Sequence, residues 1–162
     1  MERKKNQGFT LLELIVVIAI MAVALGITGM SLGVIQQSRS KGCAQEMKSS
    51  LEMARTSAMA KGGGSVTIYK DTTTGDIMMQ TTGGDSRKIG GSSLTVTYGF
   101  KGDSDVYTLG SAPAGKELKV TFSASSGSIK DTNSVEWIRI NGNKIYKLTL
   151  YKLTGKVTME TE

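Results

Sequence analysis

The chain opens with a short polar stretch and then enters a long run of apolar residues. Residues 14–38 contain no charged side chain, and residues 14–25 are almost wholly aliphatic. A helix of about 20 apolar residues crosses the hydrocarbon core of a bilayer, so the run predicts a membrane-spanning helix. Arg3, Lys4 and Lys5 precede it and, by the positive-inside rule, predict a cytoplasmic N-terminus with the rest of the chain outside.

The helical pattern continues beyond the uncharged run. Apolar residues recur at spacings of three and four, which is typical of one buried face of a helix, and this apolar stripe consists of Cys43, Met47, Leu51, Ala54 and Ala58. Gly62-Gly63-Gly64 follows and predicts the end of the helix. The pattern therefore predicts a helix from Thr10 to Lys61 whose second part, residues 36–61, is amphipathic.

Short β-rich runs separated by turns fill the remainder, residues 62–162. The predicted strands are Ser65–Tyr69, Asp76–Gln80, Leu94–Tyr98, Glu117–Ser123, Val135–Asn141, Ile145–Tyr151 and Lys156–Thr161. Asn141-Gly142 between two of them is a strong hairpin signal. An antiparallel sheet packed on the stripe of the long helix would give an α+β head.

Composition removes several classes of catalytic site. The chain has no histidine and one cysteine, which excludes Ser-His-Asp triads, Cys/His catalysis, Cys/His zinc sites and an internal disulfide. The segment from Gly110 to Lys116 resembles part of a P-loop, but Glu117 stands where a magnesium-binding Ser or Thr is needed, so we interpret it as a turn. Asp103 and Asp105 lie in a segment too short for a calcium loop. We predict a protein that is not an enzyme and holds no metal or cofactor.

One acid, Glu13, begins the apolar run and needs an explanation. A secretory signal peptide also has a basic start and an apolar centre, and Ala22-Val23-Ala24 offers a cleavage pattern. The uncharged run continues well past Ala24, however, and such a signal has no use for the acid. A plain single-pass anchor also leaves Glu13 unexplained.

The stretch Gly8-Phe9-Thr10-Leu11-Leu12-Glu13 resembles the class III signal of the type IV pilin and type II secretion pseudopilin superfamily. The resemblance implies a leader at residues 1–8, cleavage between Gly8 and Phe9 by a prepilin peptidase, and N-methylation of Phe9. It also implies a transmembrane and filament-core helix at residues 9–35 and an extracytoplasmic head. The expected location is the inner membrane before assembly and a surface or periplasmic filament afterwards.

The resemblance gives Glu13 an assembly role. A charge buried in hydrocarbon is costly unless it is paired, and cleavage creates an ammonium on Phe9 that can meet the carboxylate of a neighbouring subunit. The pair would then set the axial step of the filament. The alternative is a glutamate that reaches the lipid headgroups or stabilises the helix N-terminus.

The C-terminal half resembles GspH/FimT-type minor pilins, most clearly at Thr154-Gly155-Lys156-Val157. Basic residues recur there at Arg139, Lys144, Lys147, Lys152 and Lys156, with Trp137, Tyr146 and Tyr151 between them. Such a cluster can bind DNA through phosphate contacts and base stacking, or it can simply keep a sheet face solvated. DNA uptake by a minor pilin is therefore one alternative function, and a membrane-anchored surface protein is another.

The predicted function is that of a structural filament subunit. The expected partners are other pilin or pseudopilin subunits, the prepilin peptidase, an inner-membrane assembly platform and the lipid bilayer, with DNA as a further candidate.

Overall fold

The computed structural model describes residues 10–130 and 134–162, except for the side chains of residues 26–37. Helix α1 runs over Leu11–Lys61, one residue shorter than predicted. The chain divides into two compact units, Met1–Ile35 and Gln36–Glu162.

The part of α1 that belongs to the second unit buries the predicted stripe. Cys43, Met47, Leu51 and Ala58 are at most 1% exposed, and Ala54 is also buried, which confirms the prediction. The glycine stop is confirmed as well, because Gly62 has a φ of 89° and its N–H donates to the carbonyl oxygen of Ala58 at 3.1 Å. A left-handed glycine just after the last helical residue is a common way to satisfy the final carbonyls.

Nine strands follow the helix in the described residues. They are β1 (Gly64–Lys70), β2 (Ile77–Thr81), β3 (Arg87–Gly90), β4 (Thr95–Phe100), β5 (Tyr107–Thr108), β6 (Lys119–Phe122), β7 (Val135–Asn141), β8 (Ile145–Leu150) and β9 (Val157–Thr161). They form two antiparallel sheets, a four-stranded one in the order β3-β2-β1-β6 and a five-stranded one in the order β5-β4-β7-β8-β9. The expected α+β class with an antiparallel head is confirmed, although the strands divide between two sheets.

All seven predicted strands are present within two residues of their expected ends, and the sequence analysis missed β3 and β5. The hairpin between β7 and β8 is confirmed, with Gly142, Asn143 and Lys144 between the paired Asn141 and Ile145.

A register shift between Gly99 and Phe100 pairs Phe100 with Val135 and Gly99 with Trp137. This bulge in the β4–β7 ladder explains why Val135 and Ile138 are both buried despite their odd spacing.

The core joins α1 to both sheets. It contains the helix stripe, Val66, Ile68 and Val120 from the first sheet, and Tyr98, Ile138 and Leu148 from the second, among others. Helix α1 and strand β3 approach closely at Gly90, where an added Cβ atom would lie 2.9 Å from the Sγ atom of Cys43. Burial, reinforced by Glu46, raises the pKa of the Cys43 thiol to about 12, so Cys43 is a small packed hydrophobe.

Candidate assembly site and the C-terminal basic cluster

Glu13 lies in the first turn of α1 and forms hydrogen bonds with Thr10, the residue directly before the helix. Its Oε2 atom accepts hydrogen bonds from the backbone N–H of Thr10 at 2.9 Å and from the Thr10 hydroxyl at 3.0 Å. The Thr10 Oγ1 atom in turn accepts from the backbone N–H of Glu13 at 3.3 Å. This reciprocal arrangement is a capping box, with Thr10 as N-cap and Glu13 three residues later.

The side chains that surround this box are apolar and exposed. The large hydrophobic residues from Leu11 to Leu25 are between 47% and 77% exposed. Among the residues that the structure describes, no helix includes a stretch long and apolar enough to cross a membrane. Gly8 and Phe9, the predicted processing residues, lie outside the described residues, as do the side chains of residues 26–37.

Comparison with protein families gives one match in this region. Residues 3–29 match the family model described as the prokaryotic N-terminal methylation motif, which is the class III signal of type IV pilins. The chain carries that signal. The motif confirms the resemblance of the segment from Gly8 to Glu13, and it indicates a pilin-like, membrane-anchored precursor that a prepilin peptidase processes.

The motif covers only the start of the chain. Comparison with curated proteins and with solved structures gives no significant match. The resemblance of the C-terminal half to GspH/FimT-type minor pilins therefore stays a prediction.

The structure brings together two members of the C-terminal basic cluster and pairs both with one carboxylate. Arg139 of β7 pairs with Lys147 of β8, and both contact the carboxylate of Glu162. The Arg139 Nε atom lies 2.9 Å from Glu162 Oε2, and the Lys147 Nζ atom lies 3.5 Å from Glu162 Oε1. The two cations hold the pKa of Glu162 below its usual value, with the Arg139 hydrogen bond as the main cause.

The other members of the basic cluster lie apart. Lys144 is in the β7–β8 turn, whereas Lys152 and Lys156 are in the β8–β9 turn at the opposite end of β8. Since a strand rises about 3.3 Å per residue, the six residues of β8 separate these turns by about 20 Å. The predicted DNA-binding residues therefore form no single patch.

The aromatic residues among them also have different environments. Tyr146 is 4% exposed and belongs to the core, so it offers no stacking surface, while Tyr151 is 48% exposed. Trp137 is partly buried and lies flat against Gly99, where a Cβ atom would come within 2.6 Å of the indole. The Arg139 guanidinium lies 4.8 Å from the centre of the Trp137 ring. Trp137 and Arg139 thus contact each other, and DNA binding remains an untested prediction.

The segment from Gly110 to Lys116 forms turns, as predicted, and supplies a lysine to an acidic loop. The Lys116 Nζ atom lies 2.8 Å from Asp103 Oδ2, which also accepts from the Tyr107 hydroxyl at 2.8 Å. The same ammonium lies 5.1 Å from the centre of the Phe100 ring. These contacts use the carboxylate of Asp103, and the described residues contain no group of three or more His, Cys, Asp or Glu side chains that could hold a metal ion.

The sequence analysis missed the role of Thr10, although the signal was present. A Thr followed three residues later by Glu, just before an apolar run, is the usual sequence pattern of a capping box. Nothing in the local sequence indicates the contacts between Lys116 and Asp103 or between Arg139 and Glu162, because they join residues 13 and 23 positions apart.

Proposed function

We propose that the chain is a structural subunit of a type IV pilus or a type II secretion-like filament, and that assembly depends on the first turn of α1. The observation that carries the proposal is the methylation motif at residues 3–29 with Glu13 inside it. The exposed apolar side chains from Leu11 to Val23 add support, because such a surface needs burial in lipid or against other subunits.

Glu13 has two successive roles in this proposal. In the separate subunit it completes the capping box with Thr10. In the filament it pairs with the methylated ammonium of Phe9 from a neighbouring subunit, so that a helix in the wrong axial position leaves a costly unpaired charge. Both side-chain contacts of the capping box fall on Oε2. The neighbour's ammonium can therefore approach Oε1 without breaking the box.

The finer part of the proposal is a minor pilin or pseudopilin with an extracytoplasmic head. The GspH/FimT-like ending favours a minor subunit. A prepilin peptidase removes residues 1–8, and an inner-membrane assembly platform then draws the subunit from the bilayer into the filament. In this proposal the protein works by assembly alone and catalyses no reaction.

The test compares two variants of Glu13 with one of Thr10, in cells that produce the filament. Glu13→Gln retains a side chain that can complete a capping box but loses the charge. Thr10→Ala retains the charge but loses the cap, at a cost of about 1 kcal/mol. Intact mass and abundance of the chain are measured in sheared filaments and in membranes, with Glu13→Ala as the variant that lacks both features.

We expect all three variants to be cleaved normally, since the cleavage bond precedes residue 10. Glu13→Gln and Glu13→Ala should fall by about tenfold or more in sheared filaments, because an unpaired ammonium in an apolar filament core is costly. Thr10→Ala should be incorporated nearly as well as the unchanged protein. Normal incorporation of Glu13→Gln would refute the pairing role, and absence of the unchanged mature chain from any filament would refute the proposed function.

A further inference from the structure

One end of the second unit carries basic side chains from three separate elements. Arg39 and Lys41 belong to α1, Lys88 to β3, and Lys144 to the β7–β8 turn, and all four are exposed. The elements meet around the start of this unit's helix. A Cβ atom at Gly142 would lie 2.8 Å from the Cβ atom of Ser40, and one at Gly90 would lie 2.9 Å from the Cys43 Sγ atom. We call this surface the basic end.

A groove opens between α1 and β3 on the basic end. Its volume is about 510 Å³, and its lining includes Arg39, Gly42, Lys88 and Gly91. Neither Gly42 nor Gly91 has any atom within 4 Å of the place where a Cβ would stand. The groove therefore leaves room for a polar group to approach the backbone beside Arg39.

The basic end keeps a net positive charge. Lys88 is paired with Asp76 at 2.7 Å and is thereby largely neutralised. In the described ranges, 10–130 and 134–162, no ion pair joins Arg39, Lys41 or Lys144 to an acid. These three cations are thus available to an anionic partner.

The path of the chain identifies that partner. The uncharged run ends at Ser38, and Arg39 is the next residue. If the run is held in a bilayer, Arg39 and Lys41 are therefore held at the bilayer surface, because they are the first and third residues after Ser38. Headgroup phosphates lie at that depth, and basic residues close to an anionic membrane surface are attracted to it.

We propose that the basic end binds the headgroups of anionic phospholipids through Arg39, Lys41 and Lys144, with a lipid phosphate in the groove beside Arg39. This inference depends on the membrane insertion that belongs to the proposed function. The lipid contact orients the head on the membrane before assembly, and the subunit must give it up when it enters a filament.

The test uses the full chain in lipid nanodiscs, made either of phosphatidylcholine alone or of equal parts phosphatidylcholine and phosphatidylglycerol. Amide hydrogen exchange is followed by mass spectrometry in residues 88–91 and 142–145. The basic-end variant carries Arg39→Gln, Lys41→Gln and Lys144→Gln and keeps the pair of Lys88 with Asp76. The matched control carries Lys61→Gln, Lys101→Gln and Lys130→Gln, three exposed lysines outside the basic end, and has the same net charge.

In phosphatidylglycerol discs we expect exchange in both segments to be about fivefold slower than in phosphatidylcholine discs, for the unchanged protein and for the matched control. The basic-end variant should show no such difference. Equal exchange of the unchanged protein in both discs would overturn the inference, and so would a lipid effect that survives in the basic-end variant. A chain that inserts into neither disc would instead refute the membrane insertion and the proposed function with it.

Discussion

The two parts of α1 differ in whether their hydrophobic side chains are buried. Between Leu11 and Leu25 every large side chain is apolar apart from Glu13, and all of the large apolar ones remain exposed. Between Cys43 and Ala58 the apolar residues form one stripe, and the whole stripe is buried against the sheets. The second unit thus buries the apolar stripe of its own part of α1, whereas the described large apolar side chains of the first unit are exposed.

The difference indicates that the buried stripe serves the stability of the head and that the exposed apolar segment serves assembly. A helix with one apolar stripe and polar residues on its other sides can bury that stripe against the sheets of the same chain, and this burial stabilises the head. A helix that is apolar all round needs lipid or neighbouring helices for the same purpose. Mutations in the two segments should therefore affect different measurements.

The largest expected effect concerns the apolar segment and its leader. Gly8→Val should stop processing almost completely, because the motif implies cleavage directly after Gly8 and a branched side chain would obstruct the peptidase. Intact mass of the membrane fraction should then show the full precursor and no chain that begins at Phe9. Gly42→Ala is the control, since a Cβ there meets no atom within 4 Å. Normal maturation of Gly8→Val would contradict the assignment of the cleavage site.

The next effect compares one leucine from each segment. Leu51 is 0% exposed and Leu14 is 58% exposed. Leu51→Ala should lower the unfolding free energy of the head by about 2–5 kcal/mol, through lost burial and the cavity left behind. Leu14→Ala should leave that free energy unchanged. Denaturant unfolding of the full chain in detergent, followed by the fluorescence of its single tryptophan, measures both. Equal losses in the two variants would contradict the proposed separation of roles.

A smaller effect is expected at Gly155, the glycine of the GspH/FimT-like ending. Its φ is 64°, and a Cβ there would clash with the carbonyl oxygen of Gly127. Gly155→Ala should lower the unfolding free energy by about 2–4 kcal/mol, since it combines a disfavoured backbone conformation with a backbone clash. Gly115→Ala is the control. Gly115 has a φ of 83° but no atom near the place of its Cβ, so its substitution should cost only the free energy of the disfavoured backbone conformation, about 1 kcal/mol. A loss of unfolding free energy at Gly155 no larger than that at Gly115 would refute the close packing of the turn at Gly155 against the turn at Gly127.

Much of the fold was predictable because its signals are local. The helix stripe, the glycine stop and seven strands follow from periodicity and turn residues, and the structure confirms them. β3 was missed because it is short and because Lys88 and Gly90 are poor strand formers. Its position depends on distant contacts, since Arg87 is paired with Glu46 and donates a hydrogen bond to the Ser50 hydroxyl. Such contacts leave no periodic pattern in the sequence.

The candidate sites were predictable to different degrees for the same reason. The methylation motif is contiguous, so six neighbouring residues were enough to recognise it, and the family comparison confirms it. The basic cluster was inferred from nearness in sequence alone. Folding places Lys144 and Lys152 at opposite ends of β8, and it sets Glu162 against Arg139 and Lys147.

The smallest expected effect concerns the polar contacts of the head and depends on pH. The hydrogen bond from Lys116, with further ones from the Asp105 backbone and the Tyr107 hydroxyl, lowers the pKa of Asp103 to about 2 from its ordinary value of 3.8. Because the folded pKa is the lower one, the ionised carboxylate stabilises the fold above the unfolded pKa. That contribution is lost as the pH falls from 3.8 to about 2.

Asp103→Asn should therefore lower Tm near neutral pH, and the Tm difference from the unchanged protein should shrink as the pH approaches about 2. Other carboxylates titrate in the same range, so the difference between the two proteins is the quantity to follow. Asp105→Asn, at an exposed acid on the same loop, is the control and should show a smaller difference near neutral pH. A Tm difference for Asp103→Asn that stays constant down to acid pH would mean that the carboxylate charge contributes nothing to stability.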